Sequence, residues 1–242
     1  MQNEIAIAIE PGLGDHFICN GLINYVSQFY HKVYLATYNI DVHANWSTVE
    51  ALYQHCPRVS PVRIDQFVRH WEPQTSWYHI FSTWGLPVMQ ISFVDIGNPT
   101  HWYKSFYHQL LLPWSTWKTH ASLPPAGSNE QVIFDQVVGD IGEYILVHDL
   151  STAGHNPVAK LENPRDLPLI RITPGISRNL LDWRLVMARA AEVHFIQSSV
   201  FWLANLMGDQ IQGRKFHHLS RPHALQIDPN DFLDWQIVEY DL

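Results

Sequence analysis

Cysteine is scarce in this 242-residue chain: Cys19 and Cys56 are the only two. They form no CxxC pair, which excludes a disulfide framework and a thiolate zinc site and leads to the expectation of a reducing, cytoplasmic setting. Long apolar runs are also missing. None approaches the roughly 20 residues of a membrane helix, and the opening "MQNEIAIAIEPG" lacks the basic and apolar regions of a signal peptide. Positive charge is short as well, with 15 Lys and Arg against 23 Asp and Glu, a net charge of -8. Nucleic-acid binding rests on dense Lys and Arg, so a nucleic-acid partner is excluded. An anionic ligand has to be held locally, by a helix start or a few cations. HExxH and DxD are absent, and the 15 histidines are scattered. No metal and no cofactor are therefore expected, and any activity should survive a chelator. His217 and His218 are adjacent, which on a strand points them to opposite faces.

What is present is a globular composition, 46% hydrophobic and 16% charged, with length for one large domain or two small ones. Residues 4–9, "EIAIAI", read as a buried strand. Residues 15–29 carry Phe17, Ile18, Leu22, Ile23, Val26 and Phe29 close to helical spacing. "KVYLAT" (32–37) and "VSPVRI" (59–64) are further strands. "STVEALYQH" (47–55) reads as a helix with Ser47 as N-cap and Glu50 completing a capping box. This β-α-β-α-β order predicts a parallel sheet with helices on its faces. The stretch 66–103, rich in Trp, Tyr, His and Pro, admits strands or loops. Residues 102–112 look helical until Pro113 stops them, and "ASLPPAGSN" (121–129) is a linker. Beyond it the alternation restarts, with helices over 130–138, 179–190 and 198–208 and strands over 144–149, 167–173, 192–197 and 214–219. The fold class is therefore α/β, as two Rossmann-like domains, residues 1–125 and 126–242, facing across a cleft.

Three segments could carry chemistry. In the first, Gly12 and Gly14 bracket a strand-to-helix turn that Asp15 and His16 follow. Missing side chains let a ligand approach the backbone, and a helix start favours negative charge. Asp15 can cap the helix or act as a base. The pattern is not GxGxxG, because position 17 is Phe, so a dinucleotide fingerprint is unsupported. In the second, Gln197, Ser198 and Ser199 lead from a strand into a helix and offer N–H groups and hydroxyls that suit a diphosphate; an ordinary serine cap is the alternative. In the third, His148 and Asp149 end a strand before a small polar loop, "LSTAGHNP". Lys160, Arg165, Arg171 and Arg178 are the cations close by in sequence.

These segments, in this order, resemble GT-B glycosyltransferase-like proteins of the heptosyltransferase and nodulation-fucosyltransferase neighbourhood. "GLGDHFICNGLI" is similar to their N-terminal motif and "WYKSFYHQLLLPWSTW" to their "FY-x-Q-x-x-x-P" helix. "YILVHD" is similar to the strand opening their second domain. Glu192, His194, Ile196, Ser198 and Ser199 match the "E-x-H-x-I-x-S-S" of a donor-side segment. The resemblance implies metal-independent, inverting transfer of a sugar from a nucleotide-diphosphate sugar to a saccharide or glycoconjugate hydroxyl. Residues 1–125 are then the acceptor side and 126–242 the nucleotide-sugar side. It carries the general base onto Asp15, with His16 beside it, and the donor site onto Ser198 and Ser199. Gly12, Gly14, His148, Asp149 and Gln197 line the substrates. The fucosyltransferase relatives carry an "H-x-R-x-G-D" loop, whereas this chain reads His148-Asp149-Leu150-Ser151, without the arginine. That departure favours a second reading, a nucleotide- or sugar-binding protein without catalysis on the same scaffold. A Trp-rich carbohydrate-binding module fits poorly with βαβ order.

Overall fold

The computed structural model describes residues 3–9, 12–38, 45–64, 81–92, 99–150, 158, 161, 163–173, 175–219, 227–228, 231–232 and 234–240. The chain divides into two compact units, one of residues 1–98 and 102–125, the other of residues 99–101 and 126–242. Each has its own sheet, and every pairing within both sheets is parallel. The fold class is α/β, with one parallel sheet in each unit.

The first unit holds β1 (Glu4–Ile9), α1 (Leu13–Ile18), α2 (Asn20–Val26), β2 (Lys32–Tyr38), α3 (Asn45–Tyr53), β3 (Val59–Ile64) and β4 (Val88–Ile91), with strand order β3-β2-β1-β4. Ile5 to Ile9 are all buried, as expected of a parallel strand covered on both faces. The apolar run 15–29 breaks into two helices at Cys19. Aromatic residues from further along the chain, Tyr107 and Trp117, hold that break. Tyr107 Oη accepts from Leu22 N (3.1 Å) and donates to Ile18 O (2.8 Å), and Trp117 Nε1 donates to Phe17 O (3.2 Å). Each bond satisfies a backbone group in a dry interior, where an unpaired one would be costly. Tyr107 lies on α4 (Ser105–His108) and Trp117 on α5 (Ser115–His120), where it stacks on Trp114 at 5.2 Å. These aromatics are core rather than a sugar-stacking platform. Ser47 is not an N-cap, because α3 begins at Asn45 and places Ser47 in its first turn. No Gly or Pro separates Asn45 from Ser47, so nothing stops the turn from extending.

The second unit holds α6 (Ser128–Val137), β5 (Ile145–His148), β6 (Leu169–Arg171), α7 (Arg184–Arg189), β7 (Glu192–Ile196), α8 (Ser199–Met207), β8 (Arg214–His218) and β9 (Trp235–Val238), with strand order β6-β5-β7-β8-β9. Ile145, Val147 and Ile196 pack with Val158, Leu161 and Leu167 on one face. Glu130 accepts from Gly127 N (2.8 Å) at the start of α6 and pairs with the buried Arg184 of α7. Two desolvated charges thus neutralise each other, and one acid also serves a free helix N–H.

Candidate functional site

The turn after β1 runs through Gly12, whose backbone is extended (φ -72°, ψ 139°), into α1. A Cβ built on Gly12 would come within 2.5 Å of Asp15 Oδ2. The half-buried Asp15 carboxylate is therefore folded back over Gly12, and a side chain there would push it aside. Gly14 is half-buried on the first turn of α1. His16 lies beneath this turn, 1% exposed, and burial pushes its imidazole down to about 3. It is a neutral interior ring at pH 7, and its Nδ1 finds no hydrogen-bond partner among the described residues.

In the second unit, β5 and β7 are neighbours with His148 opposite Phe195. That register brings the ends of both strands together, and His148 Nδ1 lies 3.1 Å from Ser198 Oγ. Ser198 occupies the N-cap position of α8 but makes no side-chain cap bond. Its hydroxyl engages His148 rather than its own helix, so a plain serine cap does not describe it. Burial pushes His148 down to about 4, leaving the ring neutral with one donor and one acceptor nitrogen. When Nδ1–H donates to Ser198 Oγ, the serine proton is free for an anion at the helix start. Gln197, Ser198 and Ser199 are all partly exposed.

Asp149 is 4% exposed and ion-paired with Arg171, at the end of β6. The Arg171 side chain is 41% exposed. A partly exposed cation is thus anchored by a buried acid, on the strand beside the one that His148 ends. Sequence reading named Arg171 only as one cation among several. Its signal was position, as an arginine closing a short strand that pairs with the His148–Asp149 strand. Residues 151–157 and Lys160 lie outside the described residues.

A buried polar chain crosses the same sheet on one face. Glu192 and His194 of β7 share that face with Ile196, and on β8 Arg214 stands opposite Glu192 and His218 opposite Ile196. His194 Nε2 lies 3.3 Å from Glu192 Oε2, His194 Nδ1 2.9 Å from His218 Nε2, and His218 Nδ1 2.5 Å from Tyr240 Oη. Arg214 and Arg165 both approach Glu192 Oε1. Burial pulls the Glu192 carboxyl up, but Arg214 and His194 outweigh it and hold it below the ordinary range. The ionised Glu192 accepts from His194, which accepts from His218, which accepts from Tyr240. Both rings are then neutral and every bond is made. His217 points to the opposite face and stacks on Phe201 at 4.4 Å.

Among the described residues, His101, Asp228 and Asp231 bring ligand atoms within 4.8 Å of one another. His101 Nε2 lies 3.2 Å from Asp228 Oδ2.

The sequence matches no protein-family model and no curated protein. Solved structures do match. A glycosyltransferase family 9 protein from Veillonella parvula aligns over 99% of this chain and 87% of its own, with a TM-score of 0.55 and 9% identity. TibC from enterotoxigenic E. coli, described as an iron-containing dodecameric glycosyltransferase, aligns over 93% of this chain and 61% of its own, with a TM-score of 0.52 and 12% identity. The expectation of no metal and no cofactor is corrected here, since a protein of this fold is described as iron-containing. Motif spacing could not have excluded a metal, because His101 and Asp228 stand 127 positions apart. No helix of the described residues is long and apolar enough to cross a membrane. By fold, the chain is similar to the glycosyltransferases of family 9.

Proposed function

We propose that the chain is a glycosyltransferase that moves a sugar from a nucleotide-diphosphate donor to an acceptor hydroxyl with inversion. The observation that carries this reading is the His148–Ser198 contact at the start of α8, with the Asp149-anchored Arg171 ending the strand on the other side of β5. In the reaction the acceptor oxygen bonds to the anomeric carbon and its proton passes to the Asp15 carboxylate. The bond from the anomeric carbon to the phosphate oxygen breaks, and its electron pair leaves with the diphosphate. That group gains negative charge, which the first N–H groups of α8, the Ser198 hydroxyl and Arg171 stabilise. Gln197 and Ser199 flank the same helix start, and Gly12 and Gly14 keep the Asp15 turn open. Both cysteines are free thiols, which agrees with a cytoplasmic setting.

TibC's iron raises the question of a metal in this chain. His101, Asp228 and Asp231 offer one imidazole and two carboxylates, a set that fits a divalent first-row ion. When bound, such an ion supplies positive charge at that turn, and no step of the transfer above passes through it.

The second reading, a donor-binding protein without turnover, draws support from the Asp15 carboxylate lying against its own turn. A panel of nucleoside diphosphates and nucleotide-sugars separates the two readings. A cognate ligand at 100 times its Kd stabilises the fold by about 2.7 kcal/mol. A transferase also releases nucleoside diphosphate when donor and acceptor are both present. Stabilisation without release supports the second reading, and neither effect rejects both.

A further inference from the structure

We propose that His101, Asp228 and Asp231, all in the second unit, form a binding site for one first-row divalent cation. The inference concerns metal binding alone and does not rest on the transferase reading. Asp231 N donates to Asp228 O at 3.1 Å, closing a turn that sets the two acids three positions apart. The 3-10 segment Pro99–Lys104 kinks at His101 (φ -121°, ψ 18°), and residues 99–101 belong to the second unit whereas residue 102 begins the return to the first.

The donor geometry suits an ion. Two ligands at right angles on bonds of about 2.1 Å stand about 3.0 Å apart, and His101 Nε2 and Asp228 Oδ2 are 3.2 Å apart. The third ligand atom, from Asp231, lies within 4.8 Å of the other two. The side chains of His101 and Asp228 are 29% and 26% exposed, so an ion can enter from solvent and keep water in its remaining positions. Two carboxylates neutralise a doubly charged ion, and the imidazole favours Mn²⁺, Fe²⁺ or Zn²⁺ over Mg²⁺.

The site also reaches the donor helix. Phe232, next to Asp231, packs on Trp202 and Phe201 at 5.3 and 6.1 Å, in the first turn of α8. Ordering the turn therefore steadies the helix that begins at Ser199.

The test uses the full chain, stripped with chelator and then titrated with Mn²⁺ alone, with Zn²⁺ and anaerobic Fe²⁺ in parallel. Metal content after desalting and the thermal midpoint are the readouts. The expected result is one ion per chain and a raised midpoint. Outer-shell substitutions at metal sites cost about 10–100-fold in affinity, so losing a direct ligand in His101→Ala or Asp231→Asn should weaken binding by at least as much. In chelator, Asp231→Asn should melt with the parent, and only the parent should gain on adding Mn²⁺. A purely structural role for Asp231 would instead lower the midpoint equally with and without metal. No retained ion in the parent, or equal gains in parent and variants, would overturn the site.

Discussion

Asp15 and Ser198 pose the same question, since each stands in a helix's opening turn and each could simply cap it. The structure separates them. Ser198 makes no cap bond and is held by His148, whereas Asp15 leans over Gly12. If Asp15 is the base, Asp15→Asn should fold and bind donor normally but turn over roughly 10²–10⁴-fold more slowly, the usual size of a general-base contribution. A steady-state assay on a verified acceptor checks this, and unchanged turnover would leave Asp15 a structural residue. Gly12→Ala should give a similar loss, because its Cβ displaces the carboxylate. The residues at both turns were legible in the sequence, because glycine, small hydroxyls and an acid at strand ends are local signals. The Arg171–Asp149 pair and the His148–Ser198 bond were not. Both depend on which strands become neighbours, and no local pattern sets that.

At the scale of elements, the apolar runs "EIAIAI", "YILVHD" and "EVHFIQ" foretold strands because a parallel strand is dry on both faces. Strand β9 escaped notice. It has four residues at the sheet edge, with Gln236 and Ile237 exposed, and so lacks a buried run. The β7–β8 pairing leads to a pH dependence. His16 and His218 are held near 3, and His148 and His217 near 4, chiefly by burial. The unfolded value is about 6.5. Between these limits the unfolded chain binds more protons than the folded one, so stability is complete above about pH 6.5 and falls as pH drops towards 4 and then 3. Each ring contributes a slope of about 1.4 kcal/mol per pH unit within its window. Denaturant midpoints measured from pH 8 to 4 should fall steeply below 6.5. His217→Phe should flatten that profile, because His217 Nε2 has no hydrogen-bond partner to lose. A profile that stays level to pH 4 would show that these rings are not buried neutral.

At the scale of the whole molecule, each parallel sheet has polar groups at or just past a strand end, Asp15 beyond β1 and His148 and Ser198 at the ends of β5 and β7, where open α/β folds bind ligands. The chain's net charge of -8 repels an anionic donor at long range. Donor binding must then come from a few groups acting at short distance, which gives the His148–Ser198–Arg171 group its weight. The most direct measurement is a calorimetric titration of the responding nucleoside diphosphate into the parent, Ser198→Ala and Arg171→Ala. The account predicts that each substitution raises Kd at least about tenfold, a loss of roughly 1.4 kcal/mol or more, while the circular dichroism spectrum stays unchanged. Equal Kd values in all three proteins, or no nucleoside diphosphate that binds at all, would contradict it.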